Sequence, residues 1–114
     1  MTRLFKHTKI FDAQWADIGC SDEDLAEVQR IICLNPDLAP VIRGTGGVRK
    51  LRAALEGRGK RGGARVLYAD FPEFEVVYLL TAYPKNGKEN IDEQERRELK
   101  LLMESINRAW RGRK

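Results

Sequence analysis

The apolar residues of this chain follow two periods, and the change from one to the other divides it into elements. Ile10, Phe11, Trp15 and Ile18 recur at helical spacing, and Gly19 closes the run. Ser21 opens a second helix, with Asp24 three residues on in an approximate capping box. Leu25, Val28, Ile31 and Ile32 form its apolar face. Asn35-Pro36 stops it, because the residue before a proline is pushed out of the helical region. The pair makes an αα-hairpin whose exposed faces are acidic (Asp22, Glu23, Asp24, Glu27), read as scaffold. Ahead of it, RLFKHT suits an edge strand.

From Val48 the period becomes two. Val48 to Ala54 alternates, with Arg49, Leu51 and Ala53 on one side and Lys50, Arg52 and Ala54 on the other. Gly57 to Gly63 is a glycine-rich turn, Ala64 to Phe71 a second strand, FPEF a turn, and Phe74 to Tyr83 a third strand. VVYLL at the centre of that strand is apolar throughout, which predicts burial on both faces. Short connections make the three an antiparallel meander. Asp92 with Glu95 then caps a helix whose Leu99, Leu102, Met103, Ile106 and Trp110 form one stripe, expected to pack on the sheet. The order β-α-α-β-β-β-α predicts a single α+β domain over residues 1–114. It consists of a small antiparallel sheet with an N-terminal helical hairpin and a C-terminal helix.

Charge adds a location to this outline. Arg43 to Asp70 holds eight Lys or Arg and two acids, a net +6 in 28 residues. Residues 1–40 carry −3 and residues 71–114 carry +1. The same segment holds seven glycines. Cations gathered in one place and flanked by glycine suggest a surface that meets phosphate. The pI near 9.3 favours a polyanionic partner, and no apolar run approaches the roughly 20 residues that span a bilayer, so no membrane partner is expected. MTRLFKHTKIF has no apolar h-region, which predicts a cytoplasmic protein without a signal peptide. Cys20 and Cys33 lack CxxC spacing and read as reduced thiols. With one histidine they supply no zinc site. His7 lies far from the basic segment and reads as a surface or packing residue.

Gly57-Arg58-Gly59-Lys60-Arg61-Gly62 matches G-x-G-x-x-G. A dinucleotide fingerprint needs a strand before it and a helix after it, and here the glycines precede the strand ARVLYAD. Neither Gly-Lys pair is followed by Ser or Thr, so no Walker A loop is present. The basic stretch offers different chemistry. Lys50 and Arg52 share one strand face, Arg65 begins the next strand, and Lys60 and Arg61 sit on the turn between. Thr81, Tyr83, Lys85 and Asn86 close the third strand beside them. Such a patch suits a nucleic-acid backbone, with arginine forking to phosphate oxygens and tyrosine stacking on a base. Metal-free RNA cleavage needs a base for the 2′-hydroxyl proton, cations for the phosphorane and a donor for the leaving oxygen. A lysine packed among other cations sheds its proton more readily. Lys50 or Lys60 is then able to act as base, although residue spacing by itself favours binding over cleavage.

The run GTGGVRKLRAALEGRGKRGGARVLYAD followed by VVYLLTAYPKN resembles the RelE/HigB family of bacterial type II toxins, most closely the HigB-like branch. The hairpin ending in LNP and the helix opened by NIDEQE extend the resemblance over nearly the whole chain. It implies a small α+β protein that cuts mRNA in the ribosomal A site, without metal or cofactor. It also implies neutralisation by a cognate antitoxin, in HigB-like pairs a HigA-like helix-turn-helix protein. By motif, Lys50 and Arg52 match the basic pair that positions mRNA phosphates, and Arg65 matches a transition-state stabiliser. Lys85 matches a further catalytic basic position. Arg49, Arg58, Lys60, Arg61 and Asn86 fall in the RNA-binding surface, with Tyr68 and Tyr83 as stacking candidates. Some RelE toxins use a tyrosine near the C-terminus, and none follows Tyr83 here. Two alternatives remain at this level: a ParE-like gyrase inhibitor of the same fold, which does not use the basic patch, and a non-catalytic RNA- or ribosome-binding module. A DNA-binding repressor is disfavoured because no helix pair has a basic second helix.

Overall fold

The computed structural model describes residues 2–54, 63–85 and 91–112. The elements run β1 (Leu4–His7), α1 (Lys9–Ile18), α2 (Asp22–Leu34), β2 (Arg49–Ala53), β3 (Ala64–Phe71), β4 (Val76–Pro84) and α3 (Glu93–Arg111). The helix ends follow the expected chemistry. Ser21 and Asp24 close a reciprocal capping box at the start of α2, and Asp92 and Glu95 close another at α3. Gly19 ends α1 in the left-handed region, at φ +88°.

The sheet order is β1-β4-β3-β2. β2, β3 and β4 form the expected antiparallel meander. β1 departs from the all-antiparallel expectation, because it runs parallel to β4, with Leu4 opposite Val76 and His7 opposite Leu79. Parallel neighbours require a long connection. The hairpin and the meander together supply it, so adjacency in sequence gave no hint of this pairing.

The sheet is covered on both faces. On one, Leu51, Val66, Tyr68, Val77, Leu79 and Ala82 pack against Phe11 and Trp15 of α1 and Val28 and Ile32 of α2. On the other, Leu67, Ala69, Phe71, Val76 and Leu80 pack against Leu99, Met103 and Ile106 of α3. The stripe of α3 is therefore core, and central β4 is buried on both sides as its composition predicts. Burying these side chains supplies about 1.5–3 kcal/mol for each large aliphatic or aromatic residue.

One irregularity decides which residues share a face. Leu67 pairs with Thr81 and Tyr68 with Leu79, so β4 carries an extra residue, Leu80, between them. This β-bulge reverses the alternation of β4 beyond it. Strict alternation from Leu79 would send Tyr83 to the hairpin side. With the bulge, Ala82 takes that side and Tyr83 joins the α3 side. The N-terminus of α1 holds the bulge in place. The Thr8 hydroxyl donates to the Leu80 carbonyl at 2.7 Å while capping α1 by accepting from the Phe11 amide at 3.0 Å. Beyond the reach of β1, the Ala82 amide donates to Oε1 of Gln14 at 2.8 Å.

Two features of the basic segment are structural. Gly44 to Gly47 form a tight turn closed by Thr45, whose hydroxyl donates to the Ile42 carbonyl and accepts from the Val48 amide. Gly46 and Gly47 have φ of +80° and +116° and lie against Met103 of α3. These glycines serve a turn and a helix contact rather than phosphate. At the other end of the sheet Arg3 forks onto Asp70, at 2.7 and 3.2 Å, tying the N-terminal segment to β3.

Tyr68 is fully buried under the hairpin, and its hydroxyl donates to the Pro36 carbonyl at 2.8 Å. Burial raises its pKa above the usual phenol value. Tyr68→Phe leaves that carbonyl without its donor and is expected to lower stability by about 1–2 kcal/mol. In urea unfolding the midpoint should fall with the slope unchanged.

Candidate nucleic-acid interface

At one end of the sheet, β2 finishes, β3 begins and β4 finishes side by side. The pairing sets Arg52 opposite Arg65, and Arg65 opposite Tyr83. The three side chains thus form one row across three strands, neighbours roughly 5 Å apart at the backbone. Lys50, Leu67 and Thr81 form the parallel row one step along the same face. The alternation of β2 and β3 brings the two basic residues of β2 beside Arg65. The bulge in β4 adds Tyr83.

The members of the row differ in exposure. Arg52 is exposed, whereas Arg65 is 4% exposed and Tyr83 7%. A guanidinium held out of water interacts with an approaching anion more strongly than a solvated one. Beyond β4, the Lys85 amide donates to the Gly63 carbonyl at 3.2 Å, holding this residue beside the start of β3. Arg52, Arg65 and Lys85, with Ala53, Ala54 and Ala64, line a cleft of about 170 Å³. Lys50 and Arg52 also border a second, shallower hollow along the outer edge of β2, of about 340 Å³, with Leu38 and Pro40. An anionic group entering the cleft meets three cations arriving from three strand ends. This arrangement suits a phosphate and the additional charge of a phosphorane.

Other expected site residues are elsewhere. Tyr68 cannot stack on a base from its buried position on the opposite face. Arg49 also faces away from the row. Its guanidinium donates to the carbonyls of Ala39 (2.6 Å) and Asp37 (3.2 Å) and meets the Asp37 carboxylate at 3.2 Å. It secures the 37–39 loop instead of offering a free cation to RNA. Strand parity already separated both residues from the Lys50–Arg52 face, since Arg49 is offset by one from Lys50 and Tyr68 by three from Arg65. Arg58, Lys60, Arg61 and Asn86 lie outside the described residues.

His7 has the packing role expected of it, with Nδ1 at 3.0 Å from Asp12, Nε2 at 3.3 Å from Gln29, and its ring edge-on to Phe11. Cys20 and Cys33 are half-buried thiols that are not joined in a disulfide. Among the described residues, no helix is long and apolar enough to cross a membrane. Sequence reasoning missed Thr8 and Gln14, which fix the end of β4. Their role depends on the bulge, for which the strand's composition gives no signal.

The family model described as the RelE toxin of the RelE/RelB toxin–antitoxin system matches residues 2–111. That span takes in each strand and helix described above, including the strand ends that carry the basic row. The chain belongs to the RelE toxin family.

Proposed function

We propose that this chain is an mRNA endonuclease that acts on translated message in the ribosomal A site, and that it belongs to the HigB-like branch of its family. The observation that carries this reading is the Arg52–Arg65–Tyr83 row with Lys85 beside it. In the proposed reaction the 2′-oxygen of the message attacks the adjacent phosphorus as its proton is removed. The bond from phosphorus to the 5′-oxygen then breaks, and that oxygen takes up a proton. Arg52 and Lys50 hold the message by its phosphates. Arg65 stabilises the phosphorane charge, in a setting where water is largely excluded. Among the described residues, Lys85, in the cleft with Arg52 and Arg65, and Lys50, one step along β2, are assigned to moving protons. No metal or cofactor enters this scheme.

A cognate antitoxin, in this reading a HigA-like helix-turn-helix protein, keeps the toxin silent in the cytoplasm. The ParE-like alternative leaves the cationic row without a role, and a non-catalytic module would hold the message on the same row without cutting it.

Reconstituted 70S complexes programmed with a short message provide the test. The wild-type protein is expected to cut the bound message and to leave the same RNA intact when it is free of ribosomes. Arg65→Met keeps the bulk of the side chain and removes its charge. It should lower cleavage by about 10²-fold or more. Cleavage retained in this variant would remove Arg65 from the mechanism.

Salt provides a second test. Affinity for single-stranded RNA should fall log-linearly with salt, with a slope of roughly −0.7 for each phosphate contacted. Arg52→Ala, at an exposed position, should flatten that slope by roughly one such increment without changing stability.

A further inference from the structure

β1 ends at His7, opposite Leu79, so the last residues of β4 have no strand on their outer side. In an antiparallel strand, successive residues turn their backbone groups to opposite neighbours. The Lys85 amide turns inward to the Gly63 carbonyl, and so does the backbone of Tyr83, two residues before it. Ala82 and Pro84 turn outward, and proline has no N–H. The Ala82 N–H is therefore the last outward donor of β4, and Oε1 of Gln14 accepts it at 2.8 Å.

Gln14 is half-buried and borders two hollows. One is a cavity of about 210 Å³ on the α3 side, with Leu80, Leu99 and Leu102 in its wall and Glu95 and Glu98 at its rim. The other, of about 290 Å³, opens along Ile18, Tyr83 and Pro84. With space on both sides, a side chain of similar length fits in place of Gln14, and what it loses is the bond to Ala82.

We propose that Gln14 is a positioning residue for the cleavage reaction. Through the Ala82 amide it holds the end of β4, so that Tyr83 and Lys85 stay aligned with Arg65. The inference rests on the RNA-cleaving role proposed above and extends it to a side chain of α1 that acts through the backbone of β4. The strands divide the work. Lys50 and Arg52, which hold the message, stand on β2, and β2 is bonded to β3 and not to β4. Tyr83 lies opposite Arg65, and Lys85, assigned to moving protons, directly follows β4. A shift at the end of β4 displaces the groups of the chemical step and leaves those of binding in place. It therefore lowers kcat and leaves KM nearly constant. Misplacing reacting groups by roughly 1 Å costs up to about 100-fold in rate. Thr8 serves the same strand through Leu80 but also caps α1, so Gln14 is the cleaner probe.

The test compares Gln14→Met and Gln14→Glu with the wild type. Methionine keeps the length and removes the acceptor, whereas glutamate keeps an acceptor for the same N–H. Turnover is measured on ribosome-bound message, and amide exchange and chemical shifts are measured by NMR on the purified free protein. In Gln14→Met, kcat is expected to fall about tenfold or more with KM unchanged. The Ala82 amide should exchange about tenfold faster, with shifts concentrated at Tyr83 and Lys85. Gln14→Glu should restore all three. Wild-type kcat or unchanged Ala82 exchange in Gln14→Met would overturn the proposal. So would a loss of turnover that Gln14→Glu does not restore, or shifts spread evenly over the sheet. If the wild-type protein cuts no ribosome-bound message, the nuclease reading fails. The exchange and shift measurements then decide by themselves whether Gln14 holds the end of β4.

Discussion

A β-strand reverses its side chains at every residue, so a strand buried on both faces serves them in strict turn. β4 departs from this rule once, at Leu80, and much of the site geometry depends on that step. Before the bulge, Val77 and Leu79 face the helical hairpin and Val76 faces α3. After it, Ala82 fills the hairpin core and Tyr83 joins Arg65 and Arg52 across the sheet. The Thr8 hydroxyl holds the displaced carbonyl of Leu80, and Gln14 holds the amide of Ala82. Helix α1 thus acts as a splint along the part of β4 that β1 does not reach, and the fold's first helix positions residues encoded some seventy positions later.

The same face carries two environments a few ångströms apart. At the strand ends the backbone brings Arg52, Arg65 and Lys85 around one cleft. One step inward, α3 covers the sheet with leucine and sets Glu95 and Glu98 at the rim. The net +6 of the central segment therefore overstates the charge of the surface it forms. Arg49 is used to secure the 37–39 loop, and the Gly44–Gly47 turn is used to seat α3. Arg43 precedes that turn, its carbonyl accepting from Arg96 of α3, and Lys50, Arg52 and Arg65 lie where β2, β3 and β4 run side by side. Burial of Arg65 gives that place a stronger field than a solvated patch of equal charge.

Elements with strong periodicity were legible from sequence. The caps Ser21–Asp24 and Asp92–Glu95, the stripe of α3 and the apolar centre of β4 each follow from local rules, and the structure contains them. Long-range pairings were not legible. The parallel alignment of β1 with β4 depends on how the hairpin packs, and the bulge depends on a contact between Thr8 and Leu80. Two residues were misplaced despite an available signal. Counting parity along β2 and β3 puts Arg49 and Tyr68 opposite the Lys50–Arg52 face, where their hydrogen bonds to Ala39 and Pro36 confirm them. Residue type suggested RNA contacts for both, and strand geometry overrode it.

The central claim is that the buried arginine of this row cuts message during translation. The most direct measurement is mapping of mRNA 5′ ends in cells after brief induction of the wild-type chain and of Arg65→Ala. The account requires discrete new ends inside translated frames with the wild type and their loss in the variant. Growth arrest without new ends, or the same ends in both strains, would contradict it.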